Sequence, residues 1–174
     1  MTNINDIIEK LNLVPLVGEG GMWSRVYASD EYVKANEFKG RDSDRPICNT
    51  IYFLLTPNSF SSMHKLKSDE VWYYHMGPSL KMLLINEDGN SSTKVLGPNI
   101  EKGERPQIAV KRGTWQGALM IEDGEYTLVS TSEAPAYCDS DYTLGTYDEL
   151  KGFVKEDELE LLKKLTGEIK FIWN

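Results

Sequence analysis

A histidine and a glutamate stand close together in the segment TPNSFSSMHKLKSDEVWYYHMG, residues 56–77. His64 precedes Glu70 by six positions, and residues 67–69 separate two short extended runs, which predicts a hairpin. On such a hairpin the imidazole and the carboxylate face each other inside whatever the sheet encloses. A buried pair of this kind is costly unless its members are partnered, and such pairs commonly serve as general acid and base.

Strand parity selects further residues for the same enclosed face, because side chains alternate between the two faces of a strand. Ser62 shares the face of the histidine, while Trp72 and Tyr74 share the face of the glutamate. The other histidine, His75, has the opposite parity and is expected to face outward. An aromatic wall with a few convergent polar groups suits a planar or sugar-like ligand, although barrel-filling core explains the tryptophans equally well.

A glycine-rich segment, GEGGMWSRVYAS at residues 18–29, precedes the pair. Three glycines in four residues predict a sharply bent loop or a backbone that closely approaches other atoms. The functional interpretation makes Glu19 a residue at the mouth of a cavity, with Arg25 or Tyr27 facing inward. The structural alternative is a glycine turn that opens an edge strand. Tyr52, in the buried strand 49–56, is a further candidate for lining the cavity.

Length and charge exclude several classes of protein. With 174 residues, the chain fits one domain. A net charge of −8 argues against nucleic-acid binding and against docking on anionic membranes. Two cysteines do not form a secreted disulfide framework, the N-terminus does not resemble a signal peptide, and no apolar run is long enough to span a membrane. We therefore expect a cytoplasmic protein.

The order of predicted elements indicates an all-β sandwich or barrel. Apolar residues at helical spacing predict a short amphipathic helix over residues 3–13. From there, short strands recur between glycine, proline and aspartate turns, and the barrel spans about residues 18–145. A charge-dense helix is predicted over 148–165 within a C-terminal extension at about 147–174, and the final EIKFIWN is expected to dock as a strand or hook.

The spacing around His64 resembles the first motif of the cupin superfamily. Asn58 stands where that motif has its first glycine, and Leu66 replaces its second histidine, but Glu70 and Gly77 keep their places. The second motif would normally supply a histidine where this chain has Gln116.

Several shorter motifs narrow the resemblance to one branch of the superfamily. EGG-x-W, IYFLL, SDEVW, GERPQ and GTWQ occur together, at 19–23, 51–55, 68–72, 103–107 and 113–116. The set is similar to the fifth cupin family, of unknown function, which is similar in fold to dTDP-sugar epimerases. The resemblance implies a cupin jelly-roll barrel, a homodimer, and a small-molecule pocket over His64, Glu70 and Gln116.

Three functions remain open. The first is binding of a small molecule, sugar-like or planar, in the barrel. The second is an epimerase or isomerase in which His64 removes a proton and Tyr74 returns one, although few cationic groups besides Arg25 and Arg112 lie near the mouth to hold a diphosphate. The third is a metal-dependent cupin that binds nickel, manganese, zinc or iron weakly through His64, Glu70 and Gln116. One imidazole, one carboxylate and one amide form a weak donor set for such an ion.

Overall fold

The strands form two antiparallel sheets that enclose a shared core, which confirms the predicted all-β jelly roll. The computed structural model describes residues 3–38, 40–121 and 123–168. The larger sheet has six strands in the order β1 (Val14–Pro15), β2 (Met22–Ala28), β5 (Asn49–Leu55), β12 (Thr127–Ala134), β7 (Asp69–Met76) and β10 (Gln107–Val110). The smaller sheet has five, in the order β13 (Thr143–Leu144), β6 (Ser61–Lys65), β11 (Trp115–Met120), β8 (Leu80–Ile85) and β9 (Ser91–Leu96). A separate ribbon pairs β3 (Tyr32–Val33) with β4 (Arg45–Pro46).

Strand parity divides the apolar residues into one interior core and two outer layers. On β5, Phe53 and Leu55 join the core between the sheets, whereas Leu54 packs on the outer face of the larger sheet. That outer face is covered by the N-terminal helix α1 (Ile4–Lys10), whose apolar stripe was predicted. The Asn3 side chain caps α1 by accepting a hydrogen bond from the backbone N–H of Asn5 at 2.8 Å.

The outer face of the smaller sheet is covered by the C-terminal extension. Two short helices, α2 (Tyr147–Leu150) and α3 (Leu159–Leu165), replace the single helix predicted over 148–165. The break follows from two separate capping arrangements, one beginning at Thr146 and one at Lys155. Leu162 and Leu165 are fully buried against this sheet, so the leucine spacing was informative although the helix is interrupted. The sequence predicts a terminal strand or hook over residues 168–174, and residues 169–174 lie outside the described residues.

The chain crosses from one sheet to the other within residues 56–77, where the sequence predicts a hairpin. Strand β6 pairs with β13 and β11 in the smaller sheet, while β7 pairs with β12 and β10 in the larger one. Arg41 fixes the corner by donating to the carbonyl oxygen of Lys67 at 2.7 Å and to the hydroxyl of Ser68 at 3.0 Å. The predicted pairing is therefore wrong, because the chain turns out of one sheet at residues 66–68 and enters the other.

No helix among the described residues is long and apolar enough to cross a membrane.

Candidate functional site

Four polar side chains meet in the barrel interior from opposite sheets. His64 on β6 lies directly across from Gln116 on β11, and both strands belong to the smaller sheet. Glu70 and Trp72 reach the same place from β7 of the larger sheet. These four residues, which we call the polar cluster, are each between 1% and 6% exposed. Facing sheets, not a hairpin, therefore bring the imidazole and the carboxylate together.

Hydrogen bonds connect every member of the polar cluster. The indole N–H of Trp72 is shared between Glu70 Oε2 and Gln116 Oε1, each at 3.0 Å. The amide nitrogen of Gln116 donates to Glu70 Oε2 at 2.6 Å and lies 3.3 Å from His64 Nε2. This network satisfies the donors of the indole and the amide, which would otherwise be costly to bury.

The hydrogen bonds of His64 fix its tautomer. Its Nδ1 lies 2.7 Å from the backbone carbonyl oxygen of Ser62, which accepts hydrogen bonds and cannot donate them. The ring proton is therefore on Nδ1, and Nε2 carries the lone pair that accepts from the Gln116 amide. His64 therefore presents the lone pair of its Nε2 to the polar cluster.

Glu19 approaches the histidine from the glycine loop, as the functional interpretation of that loop expected. Its backbone carbonyl oxygen accepts from the Ser62 hydroxyl and its Oε1 from the Ser61 hydroxyl, both at 2.7 Å. Oε1 then lies 3.9 Å from His64 Nδ1. The tight loop requires glycine at Gly21, where φ is +69° and an added Cβ would lie 2.9 Å from a backbone oxygen of β5.

Tyr142 covers the histidine and was missed by the sequence analysis. Its ring stacks on the imidazole of His64 with centroids 5.2 Å apart and planes 18° apart, and its hydroxyl donates to the carbonyl oxygen of Gly18 at 3.2 Å. Burial raises the pKa of this hydroxyl well above its usual value, so it remains a neutral donor. The segment 134–145 has no periodicity, and Tyr142 is brought to this position by the pairing of the two-residue strand β13 with β6 and by the ion pairs of the neighbouring Asp141.

A further buried carboxyl, Glu133, lies beside the polar cluster on β12, directly across from Glu70 in the strand register. Its Oε2 has no hydrogen-bond partner within the described residues. Burial, and then the charges of Glu70 and Glu19, raise the pKa of Glu133 well above its usual value. Glu133 has the parity of the interior residue Val129, but the predicted strand ended at Ser132 and so excluded it.

Burial also raises the pKa of Glu70, with the charge of Glu19 acting in the same direction. The neighbouring side chain of His64 and hydrogen bonds from Thr131 and Gln116 oppose that increase. The interior thus holds three carboxyl groups whose negative charges disfavour one another, Glu19, Glu70 and Glu133.

Three residues selected from the sequence are not brought into this group. Tyr74 faces the interior core, but its hydroxyl donates to the carbonyl oxygen of Gly77 at the end of its own strand. Tyr52 belongs to the layer under α1 because its parity is opposite to that of the interior residues of β5, so its placement in the pocket was wrong. Arg25 is exposed on β2. His75 faces outward as expected, with its ring 6.1 Å from that of Tyr52.

The polar cluster does not fit the divalent metal that the cupin resemblance suggested. A metal would require the amide oxygen of Gln116 beside His64 and Glu70, but that oxygen accepts from the Trp72 indole. The amide nitrogen faces His64 and Glu70 instead, and reversing the amide would set two N–H donors against each other at Trp72. No group of three or more His, Cys, Asp or Glu side chains suited to a metal occurs among residues 3–38, 40–121 and 123–168.

Comparison with known families identifies the fold and its relatives. A family model described as "Cupin superfamily (DUF985)" matches residues 5–145. The chain belongs to the cupin superfamily. Within it, the match is to the fifth cupin family, in agreement with the resemblance seen in the sequence. No curated protein matches this cupin significantly.

Two solved structures are similar to this cupin over nearly their whole length. A protein from Shewanella oneidensis is 32% identical, with a TM-score of 0.82 and coverage of 96% of this chain and 99% of the other. A hypothetical protein from Leishmania major is 30% identical, with a TM-score of 0.83 and coverage of 96% and 100%. A cupin-2 domain from Rhodospirillum rubrum, 11% identical with a TM-score of 0.56 and coverage of 86% and 82%, shares the fold alone.

Proposed function

We propose that this cupin binds a small polar metabolite in its barrel, over His64, Glu70 and Gln116. The observation that carries the proposal is the polar cluster itself, together with the two further carboxyl groups beside it. Enclosing an imidazole and three carboxyl groups lowers stability relative to an apolar core of similar volume. A binding site accounts for this arrangement, which packing alone does not require.

The chemistry of the site favours a ligand that donates hydrogen bonds. The N–H groups of Trp72 and Gln116 are already used within the polar cluster, whereas one oxygen of Glu133 has no partner within the described residues. Glu19 adds a carboxylate close to His64. Hydroxyl or amine groups of a sugar-like or amino-alcohol ligand would complement these acceptors, and a phosphate would be repelled by them.

We propose that a ligand reaches the site between Glu19 and Tyr142. The side chain of Glu19 is 16% exposed, compared with 2% for His64 beneath it. The side chain of Tyr142 stacks on His64 and donates a hydrogen bond to Gly18, and a ligand that entered here would replace these two contacts. A planar ligand would replace the tyrosine ring over the imidazole.

Isomerisation has less support than binding. His64 presents a basic Nε2, as a proton-abstracting group must. The second group assigned to that reaction, Tyr74, has its hydroxyl on the carbonyl oxygen of Gly77. The acceptor-rich interior also suits a sugar nucleotide poorly, because the diphosphate requires cations.

A thermal-shift screen of sugars, polyols and amino alcohols tests the proposal. We expect a ligand that raises the melting temperature of the natural protein and of His75→Gln, but not of His64→Gln or Glu70→Gln. His75→Gln is a matched control because it removes the chain's other histidine, which is exposed. A compound that stabilises all four proteins equally would place its binding elsewhere and contradict the proposal.

A further inference from the structure

A cavity of about 600 Å³ lies on the opposite side of the two strands that carry His64 and Gln116. Lys65 and Trp115 are paired across β6 and β11, one position along from the His64–Gln116 pair. Alternation therefore directs them to the outer face of the sheet, where both line this cavity. Its volume is within the range of about 300–1,000 Å³ that is usual for small-ligand sites. We call it the outer cavity.

The outer cavity is basic although the chain as a whole carries a net charge of −8. Four cationic side chains line it against two acidic ones: Arg41, Lys65, Lys67 and Arg112, with Glu87 and Asp141. A concentration of positive charge in an acidic chain is a local feature that composition does not explain.

One of the two acidic residues is already neutralised. Asp141 is fully buried and forms ion pairs with both Arg41 and Arg45, while its other oxygen lies 3.8 Å from Lys67 Nζ. Arg41 is 4% exposed and also anchors the corner at Lys67. The ion pair between Arg41 and Asp141 forms the floor of the outer cavity. Three other cationic side chains can then act on a ligand: Lys65, Lys67 and Arg112.

These three cations are positioned by different means. The ammonium of Lys65 lies 4.4 Å from the centre of the Trp115 ring, and that of Lys67 donates to the carbonyl oxygen of Gly40 at 3.0 Å. The guanidinium of Arg112 forms no ion pair within the described residues, and its backbone N–H donates to Asp69 at 2.8 Å. Two held ammonium groups and an unpaired guanidinium fork match a phosphate or carboxylate.

Aromatic rings supply the remaining walls. Phe153, from the turn after α2, is 49% exposed and lies over Gly89 of the β8–β9 turn, where an added Cβ would approach its ring to 3.0 Å. Phe38 and Trp115 line other sides. An exposed ring beside these cations is suited to stacking a planar group whose anionic substituent reaches the basic residues.

We propose that the outer cavity binds a small organic anion bearing a flat ring, of the mononucleotide class. The anionic group lies among Lys65, Lys67 and Arg112, and the ring lies against Phe153. This site is separate from the polar cluster and does not depend on the function proposed for the barrel.

Isothermal titration at low salt with adenosine 5′-monophosphate, adenosine and inorganic phosphate tests the proposal. We expect saturable binding of the nucleotide, with adenosine and phosphate each weaker by more than about tenfold because each lacks one of the two sets of contacts. Lys65→Gln and Arg112→Gln should each weaken the nucleotide by about fivefold to tenfold. Phe153→Ala should weaken the nucleotide while leaving phosphate unchanged.

Lys102→Gln is the matched control, since it removes one exposed positive charge from the 3₁₀ turn Ile100–Lys102. Nucleotide binding should be unchanged in this variant, and also in His64→Gln, because the barrel site is separate. No saturable binding of nucleotide or phosphate at millimolar concentration would overturn the proposal. Equal weakening by Lys102→Gln and Arg112→Gln would also overturn it, by showing attraction to overall charge instead of a site.

Discussion

Replacement of Glu133 by glutamine tests whether the barrel interior keeps a carboxyl group protonated. The side chain is 6% exposed, and its Oε2 has no hydrogen-bond partner within the described residues. Burial raises the pKa of Glu133 well above the usual value near 4.5, and the charges of Glu70 and Glu19 raise it further. Glutamine keeps the shape of the neutral acid and cannot ionise.

The sign of the effect follows from proton binding. In the unfolded chain the carboxyl group of Glu133 loses its proton near pH 4.5, whereas the folded protein retains it to higher pH. The folded state then binds more protons, so the free energy of unfolding falls as pH rises from about 4.5 through the folded pKa. One proton contributes a slope of at most about 1.4 kcal/mol per pH unit. Glu133→Gln should lose this slope and be more stable than the natural protein at neutral pH.

The assay is urea unfolding followed by tryptophan fluorescence between pH 4.5 and 8. Glu125→Gln is the control, since it makes the same substitution at an exposed position and should keep the slope of the natural protein. Glu70 leaves a smaller slope of the same sign in every variant, because its pKa is also raised. If Glu133→Gln and the natural protein give parallel curves over this interval, the neutral carboxyl group is refuted.

Further predictions concern the polar cluster and the layer beneath the C-terminal helices. Trp72→Phe removes two hydrogen bonds and leaves the amide oxygen of Gln116 unpartnered, so denaturant unfolding should show a loss of about 2–4 kcal/mol; an unchanged midpoint would contradict the network. Leu162→Ala should lower stability by about 2–5 kcal/mol, because its side chain is fully buried against the smaller sheet; a loss below 1 kcal/mol would show that α3 does not dock. Elemental analysis of protein purified without added metal should find far less than one divalent ion per chain, and stoichiometric manganese or nickel would refute the orientation assigned to the amide. Long-range ¹H–¹⁵N spectra should show His64 as the Nδ1–H tautomer, distinct from His75 because the chain has two histidines; the Nε2–H tautomer would contradict the assigned hydrogen bonds.

Parity along single strands was enough to place most of the polar cluster. His64, Glu70 and Trp72 face the interior as the alternation predicted, and Gln116 lies where the second cupin motif suggested. Parity does not reveal whether successive strands pair or lie in opposite sheets. The corner at residues 66–68 depends on Arg41, which is distant in sequence, so the crossing between sheets was mistaken for a hairpin.

The residues that the sequence did not reveal depend on contacts between distant segments. Tyr142 reaches the imidazole because a two-residue strand pairs with β6 beside it and the neighbouring Asp141 is held by two arginines. The sequence does not distinguish Ser61 from the other serines of the chain. Its hydrogen bond to Glu19 forms because the glycine loop bends toward β6. Short irregular segments carry too few residues for a periodic pattern, and their positions are determined by tertiary hydrogen bonds instead of local preference.

The two proposed sites share the same pair of strands but suit ligands of opposite charge. On β6 and β11, the pair His64–Gln116 faces the barrel and the adjacent pair Lys65–Trp115 faces the outer cavity. Carboxyl groups dominate the first environment and cations the second. A phosphate would therefore be repelled inside the barrel and attracted outside it, while a hydroxyl-rich or amine ligand would bind inside. If a phosphorylated compound bound over His64 with the outer cavity empty, this division by strand alternation would be wrong for both sites.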